Sequence, residues 1–257
     1  MILAIDIGNT NIVLGTTDKK TGEILFIARI STDRTYTADQ YGIQFKNIIE
    51  LYSGSVKNIN GCIISSVVPP VLNAVRGGVK LLIGVEPIIV GPGVKTGLNI
   101  LMDNPAQLGS DLVVNAASAI ERFKPPIIII DMGTATTISV VDSKKNYIGG
   151  CIMPGIKVSL DAISKNAAQL PGISLSEPKR TIGKNTVECM RSGVIYGNAA
   201  MLDGMVERIE NELGESGTVV ATGGIAGLIV PYCKKKIIYD EDLLLRGLHI
   251  IYKKNVQ

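Results

Sequence analysis

Hydrophobic and polar positions along this chain fall into two similar rounds. In the first, apolar runs predict strands at Ile2–Ile7, Ile12–Thr16, Ile24–Ile30, Gly61–Val67 and Pro87–Val90. Thr37-Ala38-Asp39-Gln40 has the capping-box pattern that opens a helix. Tyr41, Phe45, Ile48, Ile49 and Tyr52 then share one helical face. Pro69-Pro70 ends an element, Gly91-Pro92-Gly93 makes a turn, and residues 104–123 read as mostly helical. Lys124-Pro125-Pro126 reads as a junction. The second round restarts with strands at Ile127–Met132, Ile138–Val141 and Tyr147–Ile152. A helix is predicted from Pro154-Gly155 to near Leu170-Pro171-Gly172. A longer one runs from about Asn185, with Glu188 as capping partner, to about Leu213. Thr218–Thr222 reads as a short buried strand, Gly223-Gly224 follows it, and a last helix begins near Asp240. The order β-β-β-α-β-α thus occurs about twice. It predicts an α/β protein of two half-domains, 1–123 and 124–257.

The two rounds open on the same phrase. Ile5-Asp6-Ile7-Gly8-Asn9-Thr10-Asn11 ends the first strand, and Ile130-Asp131-Met132-Gly133-Thr134-Ala135-Thr136-Thr137 stands 125 residues later. Each delivers an Asp, then a Gly, then small hydroxyl or amide residues, then a second apolar run. A charged turn follows each, at 18–22 and at 142–146. Each therefore reads as a β-hairpin that presents an Asp and several hydrogen-bonding groups, with a charged ligand between the halves.

Composition narrows the picture only a little. Hydrophobic residues make up 46% of the 257, and mean hydropathy is +0.30. No apolar run nears the roughly 20 residues of a membrane helix, so the excess reads as strands buried on both faces. Met1-Ile2-Leu3-Ala4-Ile5-Asp6 passes straight into the first motif without a charged leader. A cytoplasmic protein with reduced thiols is expected, and Cys62, Cys151, Cys189 and Cys233 form no Cys-x-x-Cys pair. His249 is the one histidine, which disfavours a structural zinc site and any mechanism needing another His. It reads as a packed residue on a C-terminal helix. A net charge of +3, with short runs at Lys234-Lys235-Lys236 and Lys253-Lys254, gives no case for nucleic acid.

The chain has no Gly-x-x-x-x-Gly-Lys-[Ser/Thr] loop and no Gly-x-Gly-x-x-Gly after a strand. The Asp-Gly hairpins offer another way to hold phosphate. Glycine lets the backbone approach closely, and turn N–H groups with Thr or Asn side chains donate to phosphate oxygens. An Asp at a strand end supports Mg²⁺, which takes few carboxylates and completes its shell with phosphate and water. Two such hairpins, with Gly223-Gly224 late in the chain, predict an ATP site. The constellation resembles the acetate and sugar kinase/heat-shock ATPase/actin superfamily. That resemblance implies two tandem ribonuclease-H-like half-domains with a nucleotide cleft between them. Asp6, Gly8, Asn9, Thr10 and Asn11 would form the first phosphate hairpin, and Gly133 and Thr134 the second. Gly223 and Gly224 would lie on the adenosine side.

A closer resemblance is to type III pantothenate kinases. It rests on Asp6-Ile7-Gly8-Asn9-Thr10-Asn11, on Asp103-Asn104-Pro105 followed by Gly109-x-Asp111, and on Asp131-x-Gly133-Thr134-Ala135-Thr136-Thr137. Gly149-Gly150-x-Ile152-x-Pro154-Gly155 and Gly183-Lys184-Asn185-Thr186 with Ser192-Gly193 complete it. The blocks come in the family's order over nearly the whole chain. The resemblance implies ATP-dependent phosphorylation of the primary hydroxyl of pantothenate, the first step towards coenzyme A. It implies Mg²⁺, a monovalent cation (K⁺ or NH₄⁺) and a homodimer. Asp111 would be the catalytic base, Asp6 would support Mg²⁺, Asp131 the monovalent cation, and Thr134 would donate to ATP phosphate. Met102, Gly109, Ser110, Leu112 and Thr186 would line the substrate pocket, with Thr186 coming from the partner subunit. Asp111 also sits near a predicted helix start, where the dipole favours its ionised form.

Two positions depart from the family's pattern. Leu112 stands where Arg is usual after the Asp, and Met102 where Tyr is usual before Asp-Asn-Pro. An Arg there can hold the carboxylate of pantothenate through two charge-assisted hydrogen bonds; losing it weakens catalysis on the order of 10²-fold. Lys157, Lys165 or Arg180 could substitute, or the enzyme could be a weak pantothenate kinase. A paralogue acting on a polyol, sugar or nucleoside also fits. Two further classes stay open: a non-catalytic nucleotide-binding regulator, and a phosphatase on nucleotide or polyphosphate.

Overall fold

The computed structural model describes residues 1–53 and 55–256. The first compact unit contains residues 1–98, 103–121 and 242–257, and the second contains 99–102 and 122–241. In chain order the first round is β1 (Ile2–Ile7), β2 (Asn11–Thr17), β3 (Ile24–Ser31), α1 (Ala38–Ser53), β4 (Gly61–Ser66), α2 (Pro69–Ile83) and β5 (Ile88–Ile89). β6 (Asn99–Ile100) and α3 (Ser110–Arg122) follow. The second round is β7 (Ile127–Met132), β8 (Ala135–Val141), β9 (Asn146–Pro154), α4 (Ile156–Asn166), α5 (Thr186–Leu213), β10 (Thr218–Thr222), α6 (Ala226–Ile229) and β11 (Ile237–Tyr239). α7 (Leu243–Val256) closes the chain.

The sequence repeat is a repeat of topology. The first sheet has the order β3-β2-β1-β4-β5, and the second β11-β10-β7-β8-β9-β6. In each, three antiparallel strands are followed by one parallel to the first, β4 beside β1 and β10 beside β7. A further parallel strand, β5 or β11, extends the sheet. The second sheet differs by β6, which pairs with β9.

β1 is apolar on both faces because both are covered. Leu3, Ile5 and Ile7 pack with Tyr41, Phe45 and Ile49 of α1 and Val71, Val75 and Val79 of α2. Ile2 and Ala4 face Val114 and Ala117 of α3 and Leu245, Leu248 and Ile251 of α7. In the second unit Ile128, Ile130 and Met132 pack on Ile156 and Leu160 of α4 and on Ile195, Ala199, Leu202 and Val206 of α5. Burial at this density is the main stabilising term. Among the described residues no helix is long and apolar enough to cross a membrane.

The first capping box closes, and the second forms only in half. Thr37 and Gln40 exchange hydrogen bonds, Thr37 N–H to Gln40 Oε1 at 2.8 Å and Gln40 N–H to Thr37 Oγ1 at 3.4 Å. Asn185 accepts from Glu188 N–H at 2.9 Å, whereas the Glu188 carboxylate takes Lys184 N–H instead of closing the box. Several expectations differ. Pro69-Pro70 begins a helix, since proline loses nothing in a first turn whose N–H groups have no intrahelical partner. The helix expected over 104–123 starts at Ser110, after a short 3₁₀ turn at Pro105–Gln107. α4 stops at Asn166, short of residue 170. The last helix begins at Leu243, because Asp240 N–H extends the sheet to Ala221 O at 2.8 Å and its carboxylate pairs with Arg122. That helix also packs on β1 and β4 of the first unit, although the sequence places it with the second half.

His249, on α7, is buried, and its Nδ1 lies 2.7 Å from Thr17 Oγ1. Its Nε2 is buried with no hydrogen-bond partner among the described residues. Burial, with Lys253 nearby, lowers the imidazole pKa below its ordinary value, and Asp18 opposes this weakly. Above pH of about 6.5 the ring is neutral folded or unfolded. Below it the unfolded chain takes up a proton that the folded chain resists, so stability falls as pH drops. Unfolding midpoints at pH 7.5 and about pH 5.5 should therefore diverge more in the native protein than in His249→Gln; equal divergence refutes this.

Candidate active site

In the first unit β1 and β2 pair as far as Ile7 and Ile12, leaving residues 8–11 as the turn. Gly8 N–H donates to Asn11 O at 3.0 Å. Thr32, just past β3, clamps the turn from outside: its N–H donates to Thr10 O at 3.0 Å and its hydroxyl to Gly8 O at 2.6 Å. The carbonyls of Gly8, Thr10 and Asn11 are thus tied back, while the residues Asn9, Thr10 and Asn11 lie exposed. This leaves a polar rim suited to an anion. Asp6 is partly buried and lies in register with Val13 of β2 and Ser65 of β4.

The start of α3 is fastened to the end of that same strand β4. Ser110 Oγ is 3.0 Å from Ser65 Oγ, accepts Ser66 N–H at 3.0 Å and donates to Ser66 O at 2.9 Å. Asp111 follows, partly buried, its Oδ1 accepting Leu112 N–H at 2.9 Å. Burial raises its pKa above the usual carboxylate value, opposed by the N–H groups of Leu112 and of Asp111 itself. The helix start pulls towards the ionised form as expected, but desolvation outweighs it. A carboxyl moved towards neutral pH is better matched to general-base work.

In the second unit β7 and β8 pair as far as Met132 and Thr136, leaving 133–135 as a turn one residue shorter than its counterpart. Gly133 N–H donates to Ala135 O at 3.0 Å. Asp131 is in register with Thr137 on β8 and Thr222 on β10. Two glycines make this crowding feasible. A Cβ at Gly155 would overlap the carbonyl oxygens of Gly133 and Thr134, so the entry to α4 backs directly on the turn. Gly223 has φ of +94°, and a Cβ there would lie 2.8 Å from Asp131 Oδ1 and 2.7 Å from Met132 O. Asp131, Gly133, Thr134 and Gly223 therefore meet at one end of the second sheet, with Gly224 exposed beside them. Thr137 Oγ1 is buried with no hydrogen-bond partner among the described residues.

The expected substrate residues fall in both units. Gly109, Ser110, Asp111 and Leu112 belong to the first. Met102 and Thr186 belong to the second, Met102 just after β6 and Thr186 exposed as the first residue of α5. Arg180 pairs with Glu188 at 3.8 Å. Sequence reasoning missed Thr32, whose position at the end of β3 carries no motif. Gly155 stands within a sequence motif, but its contact with the Gly133 and Thr134 carbonyls leaves no mark in the sequence. Among the described residues no three His, Cys, Asp or Glu side chains converge as a metal cage. The strand-end carboxylate of Asp6, beside a turn whose Asn9, Thr10 and Asn11 are exposed, fits Mg²⁺, which draws most ligands from phosphate and water.

A sequence model described as type III pantothenate kinase matches residues 2–208. A type III pantothenate kinase of Exiguobacterium sp. strain AT1b is 47% identical over 255 residues, 99% of each chain. The chain belongs to the type III pantothenate kinase family. A type III pantothenate kinase of Bacillus cytotoxicus is 42% identical over 99% of this chain and 97% of its own. Solved structures place this family member among actin-like ATPase folds, as two ribonuclease-H-like half-domains. A putative Baf family transcriptional activator from Campylobacter jejuni aligns with TM-score 0.62 at 20% identity, covering 98% of each chain. The activator of 2-hydroxyisocaproyl-CoA dehydratase from Clostridium difficile aligns with TM-score 0.56 at 15% identity, covering 98% of this chain and 94% of its own.

Proposed function

We propose that the chain transfers the γ-phosphoryl group of ATP to the primary hydroxyl of pantothenate, with Asp111 as the base that orients and deprotonates that hydroxyl. The observation that carries this is Asp111: a partly buried carboxyl of raised pKa on a helix start anchored to β4. β4 lies directly beside β1 and Asp6. Family membership supports the reaction class, since relatives identical at 42–47% carry the pantothenate kinase name.

Phosphoryl transfer needs positioning and charge neutralisation more than covalent chemistry. The two turns would hold the nucleotide phosphates, the first through residues 8–11 and the second through Gly133 and Thr134. Gly223 and Gly224 would let the backbone approach the adenosine side. Mg²⁺, when bound, neutralises charge on the phosphate oxygens, and Asp6 would hold it. Asp131 would serve the monovalent cation, and the unsatisfied Thr137 oxygen opposite it adds a donor of the right kind. Thr186 would reach substrate from a second copy of the chain.

Leu112 favours a second reading. An apolar side chain stands next to the base, where a carboxylate substrate would gain from a cation. A kinase for a neutral alcohol fits that position. The two readings part in an ADP-release assay with pantothenate, pantothenyl alcohol, simple polyols and nucleosides. We expect pantothenate to be turned over fastest; turnover on the neutral alcohols alone overturns the pantothenate reading.

A further inference from the structure

The β4 edge is left without a strand partner where α3 begins. Along β4 the even-numbered backbone groups face β5, as Val90 N–H donating to Ile64 O at 2.8 Å shows. The odd-numbered groups face β1, as Val67 N–H donating to Ile7 O at 3.1 Å shows. β5 ends opposite Ile64, so the N–H and C=O of Ser66 point to a side where no strand continues. The Ser110 hydroxyl occupies that place, taking the N–H and donating to the C=O of the same residue.

A hydroxyl has one proton and two lone pairs. Ser110 donates its proton to Ser66 O and accepts Ser66 N–H, which leaves one lone pair for the Ser65 hydroxyl at 3.0 Å. Its hydrogen-bonding capacity is then full, and nothing remains for a substrate. Ser65 is wholly buried and lies in register with Asp6 on β1. Ser110, the residue before Asp111, is thereby fastened to β4, the strand beside Asp6.

We propose that Ser110 is a positioning residue: its side chain stands in for the missing strand at the end of β4 and so fixes the Asp111 carboxyl relative to the strand that carries Asp6. This rests on the reading of Asp111 as the base. Alanine at 110 would strip both Ser66 backbone groups of their partner and free the first turn of α3. A small displacement of a reacting group can lower turnover on the order of 10²-fold. Threonine keeps the oxygen.

The test uses the full-length protein with Ser110→Ala, Ser110→Thr and Ser65→Ala. Two quantities are read: kcat against KM for ATP and pantothenate, and the titration of the Asp111 carboxyl by carbon NMR without nucleotide or metal. We expect Ser110→Ala to lower kcat about 10- to 100-fold with both KM values little changed, and to move the Asp111 titration towards that of an exposed carboxyl. Ser110→Thr should restore most of kcat, and Ser65→Ala should fall between. Unchanged kcat and titration in Ser110→Ala overturn the proposal, as does a raised pantothenate KM at unchanged kcat, which would make Ser110 a substrate contact. If Ser110→Ala does not fold, Ser110→Cys, with its much weaker hydrogen bonds, is read in the same two ways. Full turnover in Asp111→Asn would instead overturn the base assignment, while the titration in Ser110→Ala still decides the positioning role.

Discussion

With Asp111 as the proposed base, Asp111→Asn should lower kcat by about 10²–10⁴-fold, the usual contribution of a general base, while ATP still binds. Asparagine keeps the shape and an oxygen that can accept Leu112 N–H, but it cannot take a proton from the acceptor hydroxyl. The same change raises stability at neutral pH. Burial raises the folded pKa of Asp111, so the folded state binds a proton more tightly than the unfolded chain. Stability therefore decreases as pH rises from the unfolded value through the folded one, and the ionised carboxyl is destabilising above it. Removing the charge removes that penalty, a trade of stability for activity. In the native enzyme kcat should fall as pH drops through the raised value, because the protonated acid is not a base. Kinetics, thermal unfolding and a pH profile of both proteins check this. An Asp111→Asn protein that turns over normally or melts lower contradicts it.

Gly155→Ala should disrupt the second Asp-Gly turn, the one proposed to hold phosphate. The added methyl group would overlap two carbonyl oxygens, those of Gly133 and Thr134, and both are backbone atoms that no rotamer change can move. Either the turn or the entry to α4 has to shift. Overpacking of this kind destabilises by about 1–3 kcal/mol. The displaced turn should lower kcat/KM for ATP by on the order of 10²-fold, with KM for ATP rising. Gly172→Ala is the control, since nothing lies within 4 Å of a Cβ there. Native-like ATP kinetics in Gly155→Ala would mean that residues 133–135 do not hold phosphate.

The parts of the fold legible in the chain are those written locally. β1 and β7 announce themselves as apolar runs ending in Asp and Gly, and both caps at Thr37 and Asn185 follow from side chains within three residues. α7 was legible as a helix but not in its docking. An amphipathic face specifies that it packs, not on which sheet, and Leu245, Leu248 and Ile251 settle on β1 and β4. α2 was obscured by Pro69-Pro70, read as a stop when the helix starts there. At the site the Asp-Gly phrase was visible because it occurs twice, each time at the end of an apolar run. Thr32 and Ser66 were not, because each bonds a partner far away in sequence through a backbone group on one side, which leaves no local side-chain pattern. Ser110 was visible as part of a substrate motif, yet its hydroxyl is spent on β4.

The most direct measurement of the central claim follows a radiolabelled γ-phosphoryl group from ATP in the presence of pantothenate, Mg²⁺ and K⁺. The account predicts that the label appears in phosphorylated pantothenate, matched by ADP, with no ADP released when the acceptor is withheld. Label found only in inorganic phosphate, or only in a neutral alcohol supplied alongside, would contradict it.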